Sequence, residues 1–234
     1  MASANQSVLS PPELENGDHL SRDEFERRYA AMPNLKKAEL IEGVVYVPAA
    51  LRYRKHGKPH SDIMMWLGVY AALTPGLEAA DNSTVRLDLD NAPQPDALLR
   101  VKTAYGGQSY ISEDDYVEGA PELIVEIAGS SAAYDLHEKK TVYRRNGVKE
   151  YIVWQVLDCQ ISWFQLTDGE YQQLSPDEQG LICSSFFPGL DLSVEALLKG
   201  DMATVLADVQ KGLATAEHST FVDWLDSQHK PRPS

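Results

Sequence analysis

The feature that most limits how this chain can fold is the segment spanning residues 121–157. "PELIVEIA" contains a six-residue run, 123–128, that is apolar except at Glu126. "AYDLHEKKTVYRRNG" follows with helical spacing and an Asn-Gly stop, and "KEYIVWQV" is a second apolar run. Short runs rich in Val and Ile, bounded by turn and helix signals, read as buried strands. Two strands joined through a helix form a parallel pair with a right-handed crossover. The chain is therefore expected to be α/β, or mixed α+β.

Around this unit the remaining elements fall into place. Residues 1–20 read as a flexible polar tail. "SRDEFERRYAAM" reads as a helix with Ser21 as N-cap and Glu24 in the capping-box position. "KAELIEGVVYVPA" reads as a hairpin turning on Glu-Gly. "GKPHSDIMMWLGVYAALTPG" is a second helix, started at Pro59, stopped at Pro75-Gly76, with Ile63, Leu67 and Tyr70 as its apolar stripe. "STVRLDLD" alternates like a half-buried strand, and "PDALLRV" is a strand opening at a proline. Residues 102–119 read as a polar loop. Beyond the strand–helix–strand unit, "CQISWFQL-TDGE-YQQL" is a hairpin with an Asp-Gly turn. A closing strand and a short helix capped by Ser193 follow. A C-terminal helix from Asp201 frays into a tail. The expected organisation is one domain over 21–200, with 201–234 as a C-terminal helix and tail.

The chain has 234 residues, 43% of them hydrophobic and 24% charged, an ordinary globular mixture. No apolar run approaches the ~20 residues of a membrane span, so no membrane partner is expected. The N-terminus lacks the basic and apolar regions of a secretion signal. Cys159 and Cys183 lie in apolar segments and read as reduced core residues, which fits a cytoplasmic location. The charge is acidic, 21 Lys+Arg against 35 Asp+Glu, a formal −14. That argues against a broad nucleic-acid-coating surface but leaves room for a local basic groove. Arg52, Arg54, Lys55 and Lys58, with Tyr53 among them, form the best candidate phosphate patch; a solvated loop is the plain alternative. Trp66 and Trp154 read as core, and Trp163 and Trp224 as candidates for a homodimer contact.

Glu126 poses the chemical question. Strand alternation puts Leu123, Val125 and Ile127 on one face and Ile124, Glu126 and Ala128 on the other. A buried carboxylate without a partner costs several kcal/mol, so Glu126 needs a cation, a hydrogen-bond network or a raised pKa. Asp96 opens another apolar strand directly after a proline. Asp135, Lys139 and Tyr143 share a helix face at i, i+4, i+8. Lys139 sits near a helix N-terminus, where the dipole disfavours a cation. Two carboxylates and a lysine suit a hard-metal hydrolytic site: Mg²⁺ takes oxygen ligands, and a lysine can orient water or offset phosphate charge. Plainer roles stand beside these: a structural ion pair for Glu126, a turn residue for Asp96, a capping box for Asp135 with Glu138, a solvated Lys139. A serine nucleophile at Ser130 or Ser131 lacks its motif. A zinc pair of His56 and His60 is opposed by Gly57 and Pro59 between them.

At these residues the sequence resembles the Uma (Uma-two) family of endonucleases, within the PD-(D/E)xK restriction-endonuclease-like superfamily. The likeness spans roughly residues 21–200. It rests on the "AELIEGVVYVP" hairpin, the H-x-x-I helix at His60, Pro95-Asp96, the strand "APELIVEI", and the block of Asp135, Lys139, Tyr143, Gly147, Val148, Glu150 and Tyr151. The resemblance implies an αβββαβ core with an added N-terminal helix-hairpin and a C-terminal hairpin and helix. It implies hydrolysis of DNA with Mg (or Mn), Asp96 and Glu126 as metal ligands and Lys139 as the catalytic amine. His60, Glu39, Asp135 and Tyr143 are its accessory candidates. The sequence departs from the pattern where the E-x-K lysine would stand, which is Ala128. "GSSA" replaces S-P-S-T, and Gln155-Val156 replaces D-P. These departures keep a second class open, an inactive nuclease-fold module that binds nucleic acid or protein. A two-carboxylate glycosidase is the third, without an aromatic cleft signature to support it.

Overall fold

The structure, a computed structural model, describes residues 11–48, 52–129 and 132–229. Helix α1 (Arg22–Ala30) and strands β1 (Glu39–Ile41) and β2 (Val44–Tyr46) come first. A wide turn (Tyr53–Gly57) runs into α2 (Lys58–Leu73). Then come β3 (Leu77–Asp81), β4 (Val85–Arg86), β5 (Ala97–Val101), β6 (Tyr110–Ile111), β7 (Val117–Glu118) and β8 (Leu123–Ala128). The crossover is α3 (Ala132–Tyr134), a second wide turn (Asp135–Lys139) and α4 (Lys140–Arg145). It leads to β9 (Glu150–Gln155), β10 (Gln160–Thr167) and β11 (Glu170–Gln173). The chain closes with β12 (Leu181–Cys183), β13 (Asp191–Ser193), α5 (Val194–Lys199), α6 (Met202–Leu213) and α7 (Ala216–Gln228).

Six strands form the main sheet, in the order β11-β10-β9-β8-β5-β3. β8 and β9 are parallel, as their helical connection demands, and the other pairings are antiparallel. Counting only the strands of the main sheet, the order from α2 to β9 is αβββαβ. Both faces are covered. Leu123, Val125 and Ile127 join a core with Trp66 and Tyr70 of α2 and with Val205, Val209, Phe221 and Leu225 of the last two helices. Ile124 and Ala128 join a second core with Tyr143, Val148 and Tyr151 on the crossover side. Each large apolar side chain fully buried this way contributes ~1.5–3 kcal/mol. The hairpins turn where the sequence signals it: Glu42-Gly43 and Asp168-Gly169 all have positive φ, the geometry that matches the twist of paired strands.

Several expectations are corrected. "STVRLDLD" is not a core strand; only Val85–Arg86 of it pairs, in a small separate sheet with β7 and β6. The core strand is instead Leu77–Asp81, which pairs only with β5 and has the weak strand composition Leu-Glu-Ala-Ala-Asp. The polar loop contains the short strands β6 and β7. Residues 11–20 lie along β2: Leu14 is buried, and Gly17 N–H and Leu20 N–H donate to Val45 and Gly43 carbonyls at 2.8 Å. The C-terminal region is two helices rather than one. Ser193 precedes α5, but its hydroxyl donates to Asp208 instead of capping. Both cysteines are free but exposed: Cys159 lies in the turn between β9 and β10, and Cys183 ends the short strand β12. Trp163 is fully buried edge-on to Trp66, at 5.7 Å, and so is unavailable to a second copy. Residues 1–10, the serines 130–131 and the last five residues lie outside the described residues.

Glu150 shows how this fold accommodates a buried acid without a cation. It is fully buried on β9 and accepts five hydrogen bonds: from Trp163 Nε1, Ser184 Oγ, Ser185 N–H, Ser185 Oγ and Phe186 N–H, at 2.8–3.2 Å. Glu150→Gln places an NH2 group against donors and leaves at least two of them unsatisfied. The expected cost is about 2–4 kcal/mol, read as a lower urea midpoint at unchanged slope. A variant as stable as the parent would show that the loop at 184–186 reorganises freely.

Candidate active site

Strand register brings the two acids together. β5 and β8 are antiparallel with Ala97 opposite Val125. Asp96, one residue before β5, therefore stands opposite Glu126, and opposed residues in such a pair share a face. Asp96 Oδ2 accepts the Ile127 N–H at 2.8 Å. Its Oδ1 accepts from Lys37 Nζ and lies against His56 Nε2, both at 3.0 Å. His60 Nε2 is 2.8 Å from the Asp96 carbonyl, which can only accept, so that nitrogen carries a proton.

Glu126 Oε1 takes two donors, Lys139 Nζ at 2.9 Å and Tyr143 OH at 2.7 Å. The same ammonium donates to Glu39 Oε1 at 2.8 Å and lies 4.0 Å from Asp135 Oδ1. Glu39 Oε1 also accepts the Gln94 N–H at 2.8 Å. Glu39, Asp96, Glu126, Asp135 and Lys139 are each at most 5% exposed, and together they line a cavity of about 500 Å³.

Two wide turns aim the helical ligands. In the first, the Arg52 carbonyl accepts from His56 N–H at 2.9 Å and from Gly57 N–H, five residues on, at 3.2 Å. This turn, just ahead of α2, carries the His56 that meets Asp96. The second, Asp135–Lys139, interrupts the crossover helix where it meets the acids. Single turns of this kind recur at functional sites because they re-aim side chains without ending the helix. The face expected for Asp135, Lys139 and Tyr143 is kept.

At the buried floor of the cavity the charges do not cancel: among the described residues the carboxyl groups of Glu39, Asp96, Glu126 and Asp135 face the ammoniums of Lys37 and Lys139, with His56 beside them, while Arg52 and Lys55 stand exposed at the rim. Burial works against charge on Asp96, but His56, Lys37 and Lys139 outweigh it and hold Asp96 well below the usual carboxylate range. Glu126 goes the other way. Burial pushes it up to about 8; Lys139 opposes the rise, and Asp96, Glu39 and Asp135 add to it. Lys139 also pays a burial penalty, but Glu126, Glu39 and Asp135 outweigh it and hold its proton well above the usual lysine range. The Lys139–Glu126 contact thus keeps its proton on lysine, and Glu126 is the acid that yields to surplus negative charge.

Among the described residues no group of three or more His, Cys, Asp or Glu side chains is arranged to hold a metal unaided. The donor set still fits a hard divalent cation. Asp96 and Glu126 offer oxygen from opposed strands, Mg²⁺ routinely takes the rest of its shell from water and phosphate, and the cavity carries surplus negative charge.

All seven site candidates from the sequence (Asp96, Glu126, Lys139, His60, Glu39, Asp135 and Tyr143) fall in or against this cavity. Ala128, at the place of the E-x-K lysine, is buried in the second core. The amine reaching Glu126 comes from the next helix. Two partners of Asp96, Lys37 and His56, escaped the sequence reading. Lys37 stands two residues before Glu39 and so shares its face by alternation. His56 was visible only as one of two histidines four apart. From the basic cluster, Arg52 and Lys55 line the mouth of the cavity.

Comparison with known proteins bears on the family and the fold. No curated protein matches the chain in sequence. A crystal structure described as "a putative nuclease belonging to DUF820 from Anabaena variabilis ATCC 29413" matches with a TM-score of 0.52 at 15% identity, covering 70% of this chain and 90% of that one. At that identity the likeness is one of fold. The family model Uma2, described as "Putative restriction endonuclease", matches residues 22–195, which include every site candidate, and the chain belongs to that family.

Proposed function

We propose that this protein is a metal-dependent endonuclease that hydrolyses DNA phosphodiester bonds. The observation that carries the reading is the opposition of Asp96 and Glu126 across β5 and β8, with the Lys139 ammonium 2.9 Å from Glu126. Asp96 and Glu126 would hold the divalent cation, Mg²⁺ or Mn²⁺, whose chemistry when bound is to acidify water and offset phosphate charge. Tyr143 fixes the Glu126 carboxylate, and His60 fixes the backbone at Asp96. Lys139 keeps its proton, so its role is to position water and offset charge on the scissile phosphate rather than to act as base. Lys37 and His56 balance Asp96 in the absence of an ion. Arg52 and Lys55 at the mouth attract the phosphate backbone.

One observation favours a second reading, an inactive binding module. Lys37, His56 and Lys139 already give both acids cationic or polar partners. Calorimetry with Mg²⁺ and Mn²⁺, followed by plasmid and branched-DNA cleavage, separates the two. The nuclease reading expects binding of the ion and cleavage that falls at least 100-fold in Asp96→Asn. Folded protein that binds neither ion and cuts nothing favours the module.

Glu126 supplies a test that needs no substrate. Its folded pKa lies above its unfolded value of about 4.5. Its contribution to stability is therefore fully present below the unfolded pKa, and is lost as pH rises from there through about 8. Glu126→Gln removes this dependence, and the glutamine oxygen still accepts from Lys139 and Tyr143. The variant is expected to exceed the parent by about 3 kcal/mol near pH 7, with the gap closing toward pH 5. Mg²⁺ is expected to raise the melting temperature of the parent and not of the variant. A variant less stable than the parent at pH 7, with an unchanged response to Mg²⁺, would make Glu126 a structural ion-pair partner only.

A further inference from the structure

The segment 52–58 stands as a ridge between two depressions. On one side Arg52, Lys55 and His56 border the acid-lined cavity. On the other, Arg54 borders a groove of about 250 Å³ floored by Trp154 and Leu197. Between them Tyr53 is 74% exposed and makes no ring contact among the described residues. Most lysines and arginines of this acidic protein are tied into ion pairs, but Arg52, Arg54 and Lys55 have no carboxylate partner among the described residues. The ridge is not loose. His56 fastens it to Asp96 at 3.0 Å, and at Gly129 even a Cβ would come within 3.0 Å of the Lys55 carbonyl.

We propose that this ridge is a saddle for single-stranded nucleic acid, with phosphates on Arg52, Arg54 and Lys55 and an unpaired base stacked on Tyr53. The proposal rests on the nuclease reading of the adjoining cavity and names its substrate as a single strand, or the unpaired arm of a branched one. Three arguments favour one strand over a duplex. Paired bases expose edges, not faces, so a lone aromatic ring gains stacking only from an unpaired base. A duplex brings two strands of phosphate to a chain of formal charge −14 whose free cations at the site lie on one ridge. The acids are 3–4% exposed at the cavity floor, which a flexible strand reaches more readily than a rod. His56 joins the saddle to Asp96, so a strand seated on the ridge is registered on the acid pair.

The test is fluorescence anisotropy with a labelled 20-nucleotide strand and the blunt duplex of the same sequence, in EDTA and again in Ca²⁺. The single strand is expected to bind more tightly than the duplex. Tyr53→Ala is expected to weaken single-strand binding about 5- to 100-fold and leave duplex binding unchanged, and Tyr53→Phe to keep the parent affinity. Arg54→Ala is expected to lower the slope of log affinity against log salt by about 0.7. Tighter duplex binding, or a Tyr53→Ala variant that behaves as the parent, overturns the saddle. If the parent nevertheless binds and cuts duplex DNA, only the saddle falls and the nuclease reading stands. If the folded parent binds neither nucleic acid, both fall, and binding of poly-glutamate in their place would assign the ridge to an acidic protein partner.

Discussion

The Lys139 ammonium sits between Glu39 and Glu126, and three parts of the chain meet on it. Glu39 comes from the N-terminal hairpin, Glu126 from the central strand, and Lys139 from the crossover helix. Each group alone would be a buried charge costing several kcal/mol. Together they form a lock that closes only when all three elements dock. The hairpin has its own small core around Phe25 and Leu40, so this polar contact is part of what attaches it to the sheet. Removing the lysine would leave the buried Glu39 carboxylate without its cation and Glu126 without one of its two donors. The expected loss of about 3–5 kcal/mol is why a Lys139→Ala variant reports on folding before it reports on chemistry.

The lock leaves a residue of strain in the charge balance. Lys139 offsets one carboxylate, Lys37 and His56 offset another, and Glu126 retains a proton near neutral pH because nothing offsets it fully. A fold selected only for stability would place an apolar residue at 126, as it does at 124 and 128 on the same face. Keeping the acid there has a cost in the free protein that a divalent cation would relieve. On the proposed nuclease reading, that relief is the reason a carboxylate interrupts a buried strand.

Much of this was legible in the sequence, and the reasons are local. Alternation over residues 123–128 assigned Glu126 to the face it shares with Ile124 and Ala128. Helical spacing assigned Lys139 and Tyr143 to one side, and the strand–helix–strand unit forced the parallel pair. What was illegible is long-range or weakly coded. Lys37 reaches Asp96 across 59 residues, and no spacing rule spans that distance. The two wide turns have no residue signature, so no spacing in the sequence brings His56 to Asp96. β3 was missed because its composition is that of a helix or loop; only pairing with β5 makes it a strand. The cysteines were misplaced because an apolar neighbourhood in sequence does not ensure burial in a turn or at a strand end.

Net charge misleads for a related reason. A formal −14 describes the whole chain, but binding depends on charges left free at one place. Among the described residues it is the cations that are largely tied up: Arg86 is held by Glu26, Asp114 and Glu118, Arg100 by Glu78, and Arg145 by Glu42 and Asp88. These pairs fix loops and termini and contribute little field beyond a Debye length of ~8 Å at physiological salt. The free cations Arg52 and Lys55 stand at the mouth of a cavity whose floor is negative. A polyanion approaching elsewhere meets repulsion, and at the mouth it meets attraction. On the proposed nuclease reading, an acidic surface around a small basic entrance narrows where a nucleic acid would dock, and the His56–Asp96 contact sets that entrance at a fixed distance from the acids.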